Sequence, residues 1–565
     1  MPDLSTMKPI LLLAALGLVA GCADSGPDSS QEPDERPNFL IILVDDMGYT
    51  DLGSFGGEIE TPNLDRLAHD GLRFSNFYAA PMCSPSRAML LTGVDAHPAG
   101  LGNMREELSP NQKDQPGYEG YLSDRVVTVS ELLDDAGYRN YVTGKWHLGT
   151  EESAAPWMRG FDRSFVLDSG GASHYPDMRP AYAPSPDIKA NYYEGDQKLA
   201  ALPDEYEYSS QYIVDRMIDY FEDDADSNEP FFAYLAFTAP HWPIQAPDEA
   251  IARQAGRYDA GYDVLAEQRL ERQIALGLIP ETARRSARSP KEMPWEELDA
   301  DQKKVEIRAM EIYAAMVDEM DRHTGRLLDY LETEGELDNT FILFMSDNGA
   351  EGHDLDETWP ADAFPAIRKT IDESFDFSYE QMGKMGSYTF QGPNWANASS
   401  PAYFLHKGFP TAGGIRVPAF VNYSGEIAIP GVSNHLVSIT DVMPTILELA
   451  GVEHPGTAYS GREVVAPAGV SFLPVLDGGV AGDLDRVLAL ELMGKRMVQK
   501  GDWKIVHMPS PWGLDKWQLF NIVDDIAEAN DRSAEHPEIV EELLTEWASY
   551  AEENGVIIPD WVSGY

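Results

Sequence analysis

Phe39-Leu40-Ile41-Ile42-Leu43-Val44 runs without a polar residue into Asp45-Asp46. A continuous apolar run of this kind is the pattern of a strand buried on both faces, and this one ends by delivering two carboxylates to its C-terminal edge. Far along the chain Phe341-Ile342-Leu343-Phe344-Met345-Ser346 repeats the design and ends in Asp347-Asn348-Gly349. Parallel sheets place their sites beyond the C-terminal ends of their strands. Two such strands in one sheet therefore aim four oxygen-bearing side chains, Asp45, Asp46, Asp347 and Asn348, at one point.

Helical patterns lie between these runs. Val129 to Ala136 precedes Gly137, and from Val305 to Leu331 the residues Ala309, Ile312, Tyr313, Met316, Val317, Met320, Leu327, Leu328 and Leu331 recur at three- and four-residue spacing. That spacing predicts a long amphipathic helix packed on a core. Phe231 to Phe237 reads as a further buried strand, ending near His241. Strands alternating with helices predict an α/β fold, a large central sheet, mostly parallel but mixed, flanked by helices on both faces.

Gly149 to Tyr206, rich in Gly, Pro, Tyr and Asp without a period, reads as long loops around the mouth of a site. Glu351 to Phe377 is a second irregular, acidic stretch. Past about residue 440 the pattern changes, with short strands in Arg496 to Met508 and Trp517 to Ile522 and an amphipathic helix from Pro537 to Asn554. The expected organisation is a leader over residues 1–22, a flexible linker over 23–37, a main domain over 38–440, and over 441–565 a C-terminal α+β subdomain with a small antiparallel sheet and a terminal helix.

With 565 residues, 43% of them hydrophobic, the chain can bury a sizeable core. Its formal net charge of −53 argues against nucleic acid as a partner, because binding a phosphate backbone needs Lys and Arg to displace counterions. Screening over a Debye length of about 8–10 Å still lets a local cluster of Arg, Lys and His hold a small anion.

Both cysteines have a place. Ile10 to Ala20 is an apolar run too short to span a bilayer comfortably, and Gly21-Cys22 closes it. Val19-Ala20-Gly21-Cys22 resembles a lipobox. On that resemblance Cys22 would be the lipidated first residue of the mature protein, held at the periplasmic or cell surface only through an N-terminal lipid. The alternative is an ordinary signal peptide cleaved nearby, and either way export is expected. Asp24 to Pro37, rich in Ser, Pro, Gly, Asp and Glu, reads as its tether. That leaves Cys83 without a disulfide partner in a compartment that permits disulfides, which invites a chemical role.

Asp45, Asp46, Asp347 and Asn348 are hard oxygen ligands, suited to calcium or magnesium and poorly suited to zinc. Taken singly, an Asp at a strand end is more often a turn or cap residue. Two pairs on two apolar strands point to a cation.

Cys83 lies in Ala80-Pro81-Met82-Cys83-Ser84-Pro85-Ser86-Arg87-Ala88-Met89-Leu90-Leu91-Thr92-Gly93. Here the chain resembles the type I sulfatases of the alkaline phosphatase superfamily, whose signature is Cys-x-Pro-Ser-Arg followed by Leu-Thr-Gly at fixed spacing. The resemblance implies an alkaline phosphatase-like fold and hydrolysis of a small sulfate ester, of the arylsulfatase type. It also implies that a dedicated maturation enzyme oxidises Cys83 to formylglycine (3-oxoalanine) before folding finishes. One calcium ion would be held by Asp45, Asp46, Asp347, Asn348 and residue 83. The hydrated aldehyde carries two hydroxyls on one carbon, so one can attack sulfur while the other later expels sulfate.

The resemblance extends to the surrounding residues. Gly144-Lys145-Trp146-His147-Leu148-Gly149 matches the family's Lys-x-His element, which implies that Lys145 bridges nucleophile and sulfate and that His147 takes the proton of the elimination step. Thr238-Ala239-Pro240-His241-Trp242-Pro243 and Leu405-His406-Lys407-Gly408 resemble the segments whose His241 and Lys407 contact the sulfate and the leaving-group oxygen. Arg87, on the first turn of the helix that Cys83 opens, would face back to the nucleophile, where the helix N-terminus adds partial positive charge. Asp347 would double as metal ligand and base. The resemblance runs from about Arg36 to the C-terminal helix, and Phe55 to Asp65 and Leu519-Phe520-Asn521-Ile522 echo bacterial arylsulfatases of the Pseudomonas type. The alternatives are a phosphonate or phosphate monoester hydrolase on the same scaffold, and an inactive lipoprotein that binds sulfated ligands.

Overall fold

Asn38–Val44 forms the strand that its apolar run predicts, with all seven residues buried, inside a ten-stranded sheet. The order across the sheet is Gly431–Ser433, Leu72–Phe74, Ala419–Asn422, Thr340–Ser346, Asn38–Val44, Phe231–Ala236, Arg139–Lys145, Arg163–Leu167, Tyr192–Glu194 and Gln197–Lys198. The five strands from Thr340–Ser346 to Arg163–Leu167 are parallel. Ala419–Asn422 and the hairpin Tyr192–Glu194/Gln197–Lys198 pair antiparallel, so the sheet is mixed as expected. The computed structural model describes residues 36–560 apart from 425–426, 428–429 and 483–485. The leader with Cys22, and all of the linker but Arg36 and Pro37, lie outside the described residues.

The central strand is covered on both faces. Leu40, Ile42 and Val44 join a cluster with Ile312, Met316 and Met320 of the helix Ala300–Glu334. Phe39, Ile41 and Leu43 join another with Leu90 and Leu91 of the helix Cys83–Thr92 and Ile446 of the helix Val442–Ala450. Each such side chain contributes about 1.5–3 kcal/mol by leaving water. The helix expected from Val305 starts five residues earlier, where the Asp299 side chain accepts from the Asp301 and Gln302 backbone N–H groups and Gln302 returns a bond. It ends at Gly335, whose φ of 78° favours a residue without a Cβ.

Register brings the strand ends level. Val44 lies opposite Ser346, Leu43 opposite Ala236, and Ala236 opposite Gly144. Asp45, Asp347 and Lys145 consequently emerge side by side along one edge of the sheet.

Two stretches expected to be irregular hold regular elements. Gly149 to Tyr206 contains the strand Arg163–Leu167 and the hairpin beyond it, and Glu351 to Phe377 contains the helices Leu355–Thr358 and Pro365–Ser374. The strand has only five residues, and its pairing with Arg139–Lys145 is long-range, so no local period announces it.

Near the C-terminus Val487–Leu492, Lys495–Lys500, Trp503–His507 and Trp517–Asn521 form a separate four-stranded antiparallel sheet. Arg496 to Met508 is thus a hairpin. The helix Pro537–Glu553 packs on it through Leu543, which meets Val498, Ile505 and Leu519. Among the described residues no helix is long and apolar enough to cross a membrane.

Candidate active site

The chain reaches the edge of the sheet through close backbone stitching. Asp347 N–H donates to the Val44 carbonyl at 3.0 Å, and Asp45 N–H to the Ala239 carbonyl at 3.0 Å. Three residues other than glycine sit in the left-handed region here, Asp46 (φ 71°), His147 (φ 55°) and Leu405 (φ 60°). Each such conformation costs on the order of 1–3 kcal/mol and persists only where the surroundings enforce it. Each also aims a polar residue of the site, since Leu405 lies two positions before Lys407.

Cys83 opens the helix Cys83–Thr92, whose ten residues are all buried, and Pro85 fits the first turn, where an N–H has no helical partner. Ser86 Oγ donates to the Ala80 carbonyl at 3.1 Å and Ser84 Oγ to the His147 carbonyl at 2.8 Å, fastening the turn to two neighbouring segments. Arg87, one turn along, lies beneath. The segment carrying Lys407 is clamped by Gly408 N–H to the Pro81 carbonyl at 2.7 Å and by Lys407 N–H to the Ala350 carbonyl at 3.0 Å.

All the residues singled out from the sequence converge. The Cys83 thiol faces Asp46 Oδ1 at 3.7 Å. Lys145 Nζ donates to Asp45 Oδ1 and Oδ2 at 2.9 and 2.7 Å, and Lys407 Nζ to Asp46 Oδ2 at 2.8 Å. Arg87 Nε and Nη2 donate to Asp347 Oδ2 at 3.0 and 2.8 Å, and its Nη1 to the Lys145 carbonyl at 2.7 Å. Asn348 Nδ2 donates to Asp46 Oδ1 at 2.8 Å. His241 Nε2 stands 3.6 Å from Asp46 Oδ2.

These residues fit a hard cation. Ligand atoms of Asp45, Asp46, Cys83 and His241 lie within 4.8 Å of one another. Asn348 Oδ1 is buried without a hydrogen-bond partner, an acceptor left for something other than the protein. Burial pushes the Asp45 carboxyl up to about 8 against the pull of Lys145, and the neighbouring carboxylates of Asp347 and Asp46 add to the rise. Burial likewise raises Asp46, with Lys407 opposing. At Asp347 burial acts upward but Arg87, then Lys145, prevail and hold the carboxyl below its ordinary range. Oxygen donors in this crowded, buried state suit calcium or magnesium.

The nucleophile position and the histidines are set by the same burial. It drives the Cys83 thiol well above its usual range, so the unmodified side chain is a neutral thiol and a weak nucleophile. It lowers His147 to about 4, with Lys145 assisting and Glu106 opposing. It lowers His241 well below its ordinary value, with Lys145 and Lys407 adding to the effect. On a neutral ring, the His241 Nδ1 contact to the Trp242 carbonyl at 2.5 Å places the proton there and leaves Nε2 an acceptor.

Above these groups lies a small cavity of about 20 Å³ whose walls include Met82, Met104, Tyr182, Trp242 and Trp359. Tyr182 and Trp359 ring centroids are 4.9 Å apart. Sequence reasoning missed Glu106, which accepts from Tyr182 Oη at 2.6 Å and lies 3.6 Å from His147 Nε2. It also missed Glu351, which pairs with Lys407 at 3.1 Å. No motif marks Glu106. Glu351 could have been found from its place four residues after Asp347, on the same strand-end turn.

The family model described as Sulfatase matches residues 37–452. The chain is 41% identical over 545 residues to an uncharacterized sulfatase of Schizosaccharomyces pombe, covering 94% of this chain and 96% of that one. It is 39% identical over 479 residues to an arylsulfatase of Klebsiella aerogenes, covering 82% of this chain and 96% of the relative. Among solved structures, Ps i-CgsB in complex with a neocarrahexaose superposes with a TM-score of 0.64 at 23% identity, covering 94% and 95% of the two chains, a likeness of fold.

Proposed function

Because the chain belongs to the sulfatase family and is a sulfuric ester hydrolase with the fold of the alkaline phosphatase superfamily, we propose that it releases inorganic sulfate from a small ester, using formylglycine made from Cys83 beside one calcium ion. The observation that carries this reading is the position of Cys83, at the start of a buried helix with Asp46, Lys145, Lys407 and His241 around it and Arg87 one turn beneath. Asp45, Asp46, Asp347, Asn348 and residue 83 would hold the cation, which when bound polarises a sulfuryl oxygen. The hydrated aldehyde supplies a nucleophile that the buried thiol cannot match.

The remaining roles follow from charge and reach. Arg87 keeps Asp347 anionic, so that its carboxylate can both face a cation and accept a proton. Lys145 and Lys407 bring two ammonium groups to a position where the ester's sulfate anion needs counter-charge. His147, kept neutral at ordinary pH by burial, has Nδ1 buried and without a hydrogen-bond partner, an acceptor for the proton lost as sulfate leaves. His241 and Lys407 face the leaving-group oxygen. Since the neutral His241 ring carries its proton on Nδ1, Lys407 is the better proton source on that side.

Cys83 is only 2% exposed in the folded chain, which supports oxidation by a maturation enzyme before folding closes over it. The lipobox-like Val19-Ala20-Gly21-Cys22 supports export and an N-terminal lipid anchor through Cys22.

Mass spectrometry of the peptide containing Cys83 tests the modification, with a mass about 18 Da lower expected where CH₂SH has become CHO. Cys83→Ala tests its role: a rate loss under about tenfold, roughly 1.4 kcal/mol of barrier, would overturn the covalent route. Rates on a sulfate and a phosphate ester of the same phenol test the substrate, and a preference for phosphate would overturn the assignment.

A further inference from the structure

Glu351 is a buried carboxylate, 3% exposed, whose two oxygens have separate partners. Oε1 accepts from the His353 backbone N–H and lies 2.8 Å from His353 Nδ1, so it is fastened to its own loop. Oε2 faces the site, accepting from Trp242 Nε1 at 3.0 Å and pairing with Lys407 Nζ at 3.1 Å. Against a burial penalty that acts upward, Lys407 and the bonds from His353 hold this carboxyl well below its ordinary range.

Both partners of Oε2 belong to one side of the chemistry. Lys407 Nζ is held between Glu351 and Asp46, which fixes the direction of its ammonium group. The Trp242 ring stacks on His241 with centroids 4.8 Å apart and forms part of the cavity wall. Phe390 and Tyr388 back the indole at 5.0 and 5.9 Å, so its one polar atom has Glu351 as the partner that sets its rotation.

We propose that Glu351 is a positioning residue for departure of the alcohol, one carboxylate oxygen orienting both Lys407 and the Trp242–His241 stack toward the leaving-group oxygen. The inference rests on the reading of Lys407 and His241 given above. Glu351 touches neither substrate nor cation in this scheme; it acts through the ammonium and the indole. Its fixed place four residues beyond Asp347 ties the leaving-group side to the strand that carries the cation ligands.

The effect depends on how much help the leaving oxygen needs, and that separates positioning from a merely structural role. With a series of aryl sulfates whose phenols differ in acidity, Glu351→Gln should cost under about 3-fold in kcat/KM for the most acidic phenol and at least about 30-fold for the least acidic. Gln still offers Trp242 an acceptor, so the loss isolates the charge facing Lys407. Lys407→Ala should show the same steepening, and the double variant should be no worse than Lys407→Ala alone, because the two act as a unit. If Glu351→Gln misfolds, Glu351→Asp, which keeps the charge but shortens the arm, should steepen the dependence less.

A uniform loss across the phenols in the Glu351 variants, with steepening in Lys407→Ala, would overturn the positioning role. No steepening in Lys407→Ala either would overturn the placement of Lys407 on the leaving-group side, and the inference with it.

Discussion

Arg87 and Asp347, 260 residues apart in the chain, meet at the floor of the site with two guanidinium nitrogens on one carboxylate oxygen, and both side chains are fully buried. The pair holds the C-terminal end of one strand against the first turn of the helix that bears Cys83. Removing one member of a buried ion pair costs about 3–5 kcal/mol, because it strands the other charge. Arg87→Gln should therefore unfold at markedly lower denaturant concentration. Arg87→Lys should recover only part of the loss, since an ammonium cannot reproduce the fork. A Gln variant within about 0.5 kcal/mol of the parent would show that the pair does not support the site.

A cation held by Asp45, Asp46, Asp347 and Asn348 should be visible without any assay of activity. A ligand that binds only the folded state stabilises it by about 2.7 kcal/mol at a hundred times its dissociation constant. The melting temperature of chelator-treated protein should accordingly rise on adding calcium, and less on adding zinc. Asn348→Ala, which removes the partnerless amide oxygen, should blunt the rise. Equal melting curves with and without calcium would count against the cation.

His97 links distant parts of the chain, with Nδ1 2.8 Å from Asp95 and Nε2 3.2 Å from Glu491 of the C-terminal sheet. Burial acts to lower its pKa, but the hydrogen bonds to Asp95 and Glu491 prevail and push it up to about 9, from an ordinary 6.5. A folded value above the unfolded one means that the contribution is complete below about pH 6.5 and is lost as pH rises through 9. The stability gap between parent and His97→Gln should therefore shrink by roughly 3 kcal/mol between pH 6 and pH 10. Urea titrations at the two pH values measure it, and a gap of constant size would contradict the charged pair.

Gly349 lies where two segments nearly touch. A Cβ there would sit 1.9 Å from the Gly413 carbonyl oxygen, and Gly349 N–H itself donates to the Gly414 carbonyl at 2.9 Å. Gly349→Ala should push the segment bearing Lys407 away from Asp347 and Asn348, at a cost of about 1–3 kcal/mol in stability. The rate should fall at least about tenfold. Steady-state kinetics beside a melting curve would show it, and parental activity would mean the segment yields without disturbing Lys407.

Local pattern in the chain was enough to specify its main elements. Six apolar residues before Asp45-Asp46, their echo before Asp347-Asn348, and the three- and four-residue spacing through Val317 and Met320 read directly as the strands and helix that form, because burial on one or both faces imposes a period on neighbouring positions. The motif around Cys83, the pair Lys145 and His147, and the residues His241 and Lys407 were legible as candidates because each sits in a short, specific segment.

Which groups those residues lean on was settled by packing in three dimensions. Arg163–Leu167 is a strand because a neighbour pairs with it in register, and Glu106 and Glu351 matter because loops fold back to His147 and Lys407. Trp242 and Tyr182 become cavity walls in the same way. Such partnerships join residues far apart in the chain. Their energies depend on distance and burial in space, and no local period records either.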